Sequence, residues 1–156
     1  MLKILIANRG EIAVRIARTC CKLNLIPCGI YSDPDQHSLH IKQCKDSISI
    51  GGQLAQESYL NIYKIIDAAK KLGCDSIHPG YGFLSENSNF AEICKREGFT
   101  FIGPSPSALN LTGDKVRAKE IASKVSPVIL GKEVSNEDDA LDFSNIIGFP
   151  VILKAV

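Results

Sequence analysis

Apolar and polar positions along residues 1–102 change period in a way that predicts strands and helices in turn. Five strands are predicted, at residues 2–7, 25–31, 46–50, 75–78 and 100–102. The first is an apolar run, and the strands at 46–50 and 75–78 are short segments closed by Gly51-Gly52 and Pro79-Gly80. Helical periodicity between these strands predicts three helices, at residues 10–23, 59–72 and 88–97. This order of elements predicts an α/β fold, with a largely parallel sheet and helices on both of its faces.

The two longest predicted helices each carry one apolar stripe that we expect to be buried. In the helix at 59–72 the stripe is formed by Ile62, Ile65, Ile66 and Ala69. In the helix at 10–23 it is formed by Ile12, Ile16, Cys20 and Leu23. Gly73 is well placed to end the helix at 59–72, because glycine readily adopts the left-handed conformation that follows many helices.

The simple alternation stops after residue 103. Two consecutive helices are predicted at residues 105–111 and 114–124, with no strand between them. A strand at 128–130, a helix at 137–147 and a strand at 151–156 are predicted to follow. We therefore place a domain boundary near Gly113, with a first domain at residues 1–112 and a second at 113–156. Because a core strand needs hydrogen-bonding neighbours, the strand at 151–156 leads us to expect a segment of a longer chain.

Composition and charge narrow the class of protein. The chain is 45% hydrophobic and 22% charged, with a net charge of +1. We therefore expect a folded protein without the positively charged surface that nucleic-acid binding needs. No apolar run reaches the about 18 residues of a membrane span, and residues 1–7 lack the features of a signal peptide. We expect no membrane partner and a cytoplasmic location.

The six cysteines do not form a metal-binding pattern. No C-x-x-C pair is present, and two adjacent cysteines on a helix point in different directions, so we expect no zinc site. Reduced, buried thiols are the expected state, and a disulfide framework is the alternative. The residues concerned are Cys20, Cys21, Cys28, Cys44, Cys74 and Cys94.

A short polar segment, residues 8–11, follows the first predicted strand. Open α/β sheets bind ligands at the carboxyl ends of their strands. Gly10 permits a tight turn there, and the free amides of the next helix can attract an anion. The dinucleotide fingerprint G-x-G-x-x-G is missing, which disfavours nicotinamide binding. From the residues alone, Asn8 and Glu11 are equally well explained as turn and cap residues or as ligand contacts.

The segment at 78–87, which follows the fourth predicted strand, is the densest in candidate residues. Its glycines and proline fix an unusual backbone path, and His78 and Tyr81 bring polar groups to the same sheet edge. Ser85 or Asn87 is suited to cap the next helix. The alternative is a rigid loop in which backbone hydrogen bonds satisfy His78.

Lys115 stands at the start of a predicted helix, where a cation opposes the helix dipole by a few tenths to about 1 kcal/mol. A bound phosphate would neutralise both the lysine and the dipole, so the position indicates an anion site. The alternative is a solvated lysine that pairs with Asp114 or Glu120.

Lys154 lies in the apolar predicted strand at 151–156, on the same face as Ile152 and Val156. A lysine among apolar neighbours must reach solvent, lose its proton or meet a negative partner, and a nucleotide phosphate is one such partner. The alternative is an edge lysine that prevents aggregation between strands.

The first predicted helix carries a basic face formed by Arg15, Arg18 and Lys22. The face is either simply solvated or a surface for self-association.

Six blocks occur in an order that resembles a known family: IANRGEIA at 6–13, SYLN at 58–61, HPGYGFLSEN at 78–87, FIGP at 101–104, GDK at 113–115 and FPVILKA at 149–155. Together they resemble the biotin carboxylase component of biotin-dependent carboxylases, over essentially the whole chain. The resemblance implies a Rossmann-like domain followed by the start of an ATP-grasp domain. It also implies carboxylation of biotin on a carrier by ATP, Mg²⁺ and bicarbonate.

The same resemblance implies roles for single residues. Lys115 and Lys154 would contact the ATP phosphates, and Tyr81 and Gly82 would lie near the biotin and bicarbonate end of the site. In this family the metal-binding carboxylates and the catalytic groups lie beyond residue 156. The segment alone would therefore hold no catalytic or metal-binding residue, bind no cofactor tightly and be inactive.

The resemblance further implies partners: a biotin carboxyl carrier protein, a carboxyltransferase and a second copy facing Arg15 and Arg18. Bacterial relatives often carry an acidic residue where Lys22 stands. Two other functions stay open, namely another ATP-grasp ligase and a non-enzymatic Rossmann-like assembly module. The sequence does not indicate the final acceptor of the carboxyl group.

Overall fold

The structure is a computed structural model that describes residues 1–113 and 115–154, without the side chains of residues 115–117. It divides into two compact units, Met1–Leu109 and a second that begins at Asn110.

The first unit is built on one parallel sheet of five strands. The strands are β1 (Lys3–Ile6), β2 (Ile26–Tyr31), β3 (Asp46–Ser49), β4 (Ser76–His78) and β5 (Thr100–Phe101). Their order across the sheet is β3-β2-β1-β4-β5, and every neighbouring pair is parallel. The predicted Rossmann-like parallel sheet is therefore confirmed, with each strand within two residues of its expected bounds.

Four helices join these strands: α1 (Gly10–Lys22), α2 (Leu39–Gln43), α3 (Ile62–Lys71) and α4 (Ser88–Arg96). Single 3₁₀ turns lie at Asp33–Asp35 and Ala55–Glu57. The sequence did not predict α2, because five residues are too few to show a helical period.

Two apolar clusters cover the two faces of the sheet, because successive strand side chains point to opposite sides. Leu5 of β1 belongs to the larger cluster, whose fully buried members also include Cys28, Ile30, Ile65, Ile77, Phe90 and Cys94. Ile4 and Ile6 belong to the smaller cluster, with Ala13, Ile16, Ala17 and Cys20 of α1. Each fully buried large apolar side chain contributes about 1.5–3 kcal/mol, so the sheet and helices hold one another in place.

The ends of α1 and α3 explain one correct prediction and one wrong one. Helix α3 ends at Lys71, and Gly73 follows in the left-handed conformation with φ of 62°, as predicted. Helix α1 ends at Lys22, so Leu23 leaves the predicted apolar stripe and is exposed. Asn24, with φ of 56°, turns the chain towards β2 immediately afterwards.

The second unit contains the end of α5 (Pro106–Gly113), α6 (Lys115–Ser123) and α7 (Glu137–Ile147). Helix α7 has the predicted bounds, and its N-cap Asn136 accepts a hydrogen bond from the Asp139 amide at 2.9 Å. The predicted strands at 128–130 and 151–156 are not formed among the described residues. Ile129 and Ile152 are 88% and 82% exposed, so the apolar side chains that predicted these strands face no core within this unit.

The prediction of uniformly buried cysteines is corrected for Cys21, which is exposed, and Cys44, which is half-buried. All six cysteines have free thiols. Within the described ranges, no helix has the length and apolar character that crossing a bilayer requires.

Candidate functional site

The loops that follow β1 and β4 meet at the carboxyl edge of the sheet. Strand β1 pairs with β2, the next strand in the sequence, along one of its edges, and with β4 along its other edge. The crevice between β1 and β4 is therefore the topological switch point, where folds of this type bind ligands. The Ala7 amide donates to the His78 carbonyl at 2.9 Å and sets the two loops side by side.

Asn8 joins the two loops directly. Its side-chain amide donates to the carbonyls of Pro79 and Tyr81 at 2.7 and 2.8 Å, and its Oδ1 accepts from the Arg9 amide at 2.9 Å. A Cβ on Gly80 would lie 2.8 Å from Asn8 Nδ2, and Gly80 has φ of 68°, so the loop requires glycine there. Asn8 is thus a structural bridge, which is the turn-residue alternative of the sequence interpretation.

Tyr81 and Gly82 lie together at the exposed rim of this crevice. The Tyr81 side chain is 60% exposed. Its hydroxyl donates to the Glu11 carboxylate, and this hydrogen bond raises the pKa of Tyr81. Gly82, with φ of 65°, is also exposed. Glu11 and Tyr81, which are far apart in the sequence, therefore form one polar pair beside a glycine that leaves room for a ligand.

His78 is held as a neutral imidazole at the base of the loop. Its Nδ1 accepts a hydrogen bond from the Gly80 amide at 3.0 Å, which places the ring proton on Nε2. Burial lowers the pKa of His78. The alternative in which backbone hydrogen bonds satisfy His78 is therefore confirmed for Nδ1.

The far end of the loop is fixed by a helix cap. Asn87 Oδ1 accepts from the Phe90 amide at 2.8 Å at the start of α4. Of the two predicted caps, Asn87 is correct and Ser85 is wrong.

A buried carboxylate, Asp35, lies behind this edge and was missed by the sequence analysis. Asp35 is only 4% exposed, and Arg9 binds it through two nitrogens, each at 2.6 Å. Tyr59 donates to it at 2.8 Å, and the hydroxyls of Ser32 and Ser38 donate at 3.1 and 3.2 Å. We call these five residues the Asp35 network. No local pattern marks Asp35, because its partners come from segments up to 26 residues away.

The electrostatics of the Asp35 network are set mainly by the ion pair. The hydrogen bond from Arg9 holds the pKa of Asp35 well below its usual range, and the same bond raises the pKa of Arg9. Burial raises the pKa of Tyr59 to about 12. Asp35 is therefore a permanent anion and Tyr59 a permanent donor near neutral pH.

An aromatic stack connects the Asp35 network to the loop after β4. The rings of Tyr59 and Phe83 are 5.1 Å apart and nearly parallel, with an angle of 16° between their planes. Phe83 directly follows Gly82 at the rim of the crevice. The loop is thus held by Asn8 on one side and by Tyr59 on the other.

The predicted basic face of α1 lines a groove of about 680 Å³ beside α2. Arg15, Arg18 and Lys22 are all exposed there, and none of them forms an ion pair with another described residue. The groove also contains Ser38 and Leu39.

The two lysines predicted to contact phosphates both belong to the second unit. The side chain of Lys115 lies outside the described residues. Lys154 is exposed and lines a cavity of about 500 Å³ within the second unit, with Lys119 and Lys132. The premise that Lys154 lies in a buried apolar strand is wrong in this structure, because residues 151–154 form no strand.

The described residues contain no group of three or more His, Cys, Asp or Glu side chains arranged to hold a metal ion.

The fold and the crevice define a doubly wound α/β domain with a candidate ligand-binding edge between β1 and β4. The chain belongs to the family of biotin carboxylase N-terminal domains, whose sequence profile matches residues 1–109. It is 44% identical to biotin carboxylase 1 of Bacillus subtilis strain 168, over 98% of this chain and 35% of the relative.

Solved structures show the same relationship. A biotin carboxylase domain of a single-chain bacterial carboxylase superposes with a TM-score of 0.92 at 38% identity, over 99% of this chain and 36% of that one. The biotin carboxylase domain dimer of Hydrogenobacter thermophilus 2-oxoglutarate carboxylase, in complex with MgADP, ADP and bicarbonate, has a TM-score of 0.88 at 38% identity. That match covers 95% of this chain and 33% of the other. The chain thus spans about a third of the length of these proteins.

Proposed function

We propose that this chain is the N-terminal part of a biotin carboxylase, a ligase that carboxylates biotin on a carrier protein with ATP, Mg²⁺ and bicarbonate. The observation that carries the proposal is the loop at 78–87, fixed by Asn8 at the switch point of a sheet with this family's fold. The relative of known structure that contains MgADP and bicarbonate supports the choice of ligands.

Tyr81 and Gly82 would form the biotin and bicarbonate end of the site. Their exposure at the rim of the crevice and the absence of a Gly82 side chain support this role. Within the polar pair, the Tyr81 hydroxyl is already oriented by Glu11, so binding a polar substrate there needs little reorganisation of the loop.

Lys115 and Lys154 would contact the phosphates of ATP in an ATP-grasp domain that begins at residue 113. The support is the first-turn position of Lys115 in α6 and the cavity that Lys154 shares with Lys119 and Lys132. The groups that hold Mg²⁺ and activate bicarbonate would come from the rest of a full-length protein. On this proposal, the 156 residues alone bind ATP weakly and turn nothing over.

The partners would be a biotin carboxyl carrier protein, a carboxyltransferase and a second copy of the chain. The dimeric relative supports self-association. Arg15 and Arg18, exposed on α1, are the proposed contact residues of this chain in that dimer. A cytoplasmic location is consistent with six free thiols.

The test compares this chain alone with the full-length protein that contains it, in an assay of phosphate release from ATP. We expect phosphate release that requires both biotin and bicarbonate, and only from the full-length protein. Release that requires a different acceptor would indicate another ATP-grasp ligase. No release from either protein would favour an assembly module.

A further inference from the structure

We propose that Asp35 is a positioning residue for the proposed biotin and bicarbonate end of the site, acting through the loop that carries Tyr81 and Gly82. This inference rests on the proposed function. Asp35 itself does not touch the crevice rim. Its effect is transmitted by two separate connections, one through Arg9 and one through Tyr59.

The first connection runs along the segment after β1. Arg9 binds both carboxylate oxygens of Asp35, and the residue before it, Asn8, donates to the carbonyls of Pro79 and Tyr81. Two parallel bonds from a guanidinium fix direction as well as distance. The orientation of Arg9 therefore sets the backbone from which the Asn8 side chain reaches the loop.

The second connection runs through aromatic rings. Tyr59 donates to Asp35 at 2.8 Å and accepts from the Ser32 amide at 3.1 Å, so its ring plane is fixed from both sides. Phe83 stacks on that ring, and Phe83 adopts a positive φ of 41°, which is uncommon for a bulky residue. The stack helps to hold the backbone in a conformation that an isolated loop would rarely adopt.

The position requires a carboxylate. Asp35 accepts five hydrogen bonds from side chains, all from donors: Arg9 twice, Tyr59, Ser32 and Ser38. An asparagine offers one acceptor oxygen and one amide group. The amide would face donors and leave the Arg9 cation without its partner.

The kinetic test uses Asp35→Asn in the full-length protein, with Asp67→Asn as the matched control. Asp67 is exposed on α3 and pairs only with Lys71, at 2.7 Å, among the described residues. We expect Asp35→Asn to raise KM for biotin by about 10- to 100-fold, because misplacing a binding group by about 1 Å has effects of that size. KM for ATP should change less than about two-fold, since the proposed phosphate contacts lie in the second unit. The control should leave both unchanged.

A higher KM for biotin with an unchanged KM for ATP is the diagnostic result, since a loss of folded protein would lower kcat and leave both KM values unchanged. Equal effects on biotin and ATP, or no effect on biotin, would overturn the positioning role. Tyr59→Phe keeps the stack but removes one donor, and Phe83→Leu removes the stack but keeps the Asp35 network. Each should give a smaller biotin defect than Asp35→Asn, and a defect in neither would also contradict the proposal.

Hydrogen exchange provides a readout that does not depend on activity. The amides of Ser85 and Asn87 are bonded within the loop, to the carbonyls of Gly82 and Leu84. Asp35→Asn should accelerate exchange in residues 79–87 but leave exchange in α7 unchanged. If the wild-type protein turned over no biotin, the proposed function would be lost, yet this selective acceleration would still support the positioning role. Unchanged exchange would overturn that role.

Discussion

The two compact units differ in how far their apolar side chains are covered. In residues 1–109, strands and helices bury their apolar positions on both faces of one sheet. From residue 110 onward, apolar side chains such as Ile129, Ile146 and Leu153 are exposed. A helix such as α7 forms in both environments, because its backbone hydrogen bonds are internal to it. A strand forms only where a neighbouring strand supplies the other half of each bond.

The two units should differ most in the loss of stability that an isoleucine-to-alanine substitution causes in each. Ile65→Ala removes a fully buried side chain and should lower the free energy of unfolding of the first unit by about 2–5 kcal/mol. Ile152→Ala, made at an exposed position of the second unit, should change it by less than about 0.5 kcal/mol. Urea denaturation of both variants measures this. Equal losses of unfolding free energy in the two variants would contradict the exposure of Ile152.

The Asp35 network should make the first unit sensitive to acid. Because the folded protein lowers the pKa of Asp35, the stabilisation is present above the pKa of the unfolded chain and is lost as the pH falls below about 4. Asp35→Asn should cost no more than about 2 kcal/mol at pH 7, since the Arg9 side chain is 49% exposed and solvent screens the pair.

The measurement is the difference in unfolding free energy between wild type and Asp35→Asn at several pH values. The difference should shrink as the pH is lowered from 5 to about 3. A difference that stays constant over that range would mean that the charge of Asp35 contributes nothing.

Glycine substitutions separate loop packing from backbone preference. Gly80→Ala should cost about 2–3 kcal/mol, because it adds left-handed strain and a clash with Asn8. Gly98→Ala should cost only about 1 kcal/mol, since its φ is also positive, at 85°, but nothing lies within 4 Å of the new Cβ. Thermal unfolding of the two variants checks the order. A smaller loss of stability for Gly80→Ala than for Gly98→Ala would show that the Asn8 side chain can move away from the new Cβ at little cost.

The smallest expected effect compares equivalent helix caps in the two units. Asn87→Ala removes the cap of α4 and should lower the stability of the first unit by about 1 kcal/mol. Asn136→Ala removes the same kind of cap from α7 and should leave the unfolding of the first unit unchanged. Circular dichroism followed during denaturation gives both values. A shared shift would show that the two units unfold together.

The sequence predicted most of the first unit because strand and helix periods there agree with a complete core. Residues 46–50 and 75–78, for example, were placed as strands although they contain few apolar residues, because turn residues close both segments. The predicted strand at 151–156 depended on neighbours that the described residues do not supply, so its apolar pattern was misleading. The predicted burial of Leu23 was wrong for a local reason, because helix α1 ends one residue before the apolar period does.

The candidate site was predictable only where it is continuous in the sequence. Tyr81 was singled out from the loop at 78–87, Gly82 only through the family resemblance, and Asn87 from its position before a helix. The role of Asn8 stayed ambiguous until its bonds to Pro79 and Tyr81 were visible. Asp35 was not predicted, because Arg9 and Tyr59, which pair with its buried charge, are distant along the chain.

The most direct test of biotin carboxylase function is the transfer of radiolabelled bicarbonate to biotin by the full-length protein. The proposal predicts labelled carboxybiotin that forms only when ATP and Mg²⁺ are present. ATP cleavage that proceeds without any label on biotin would contradict it.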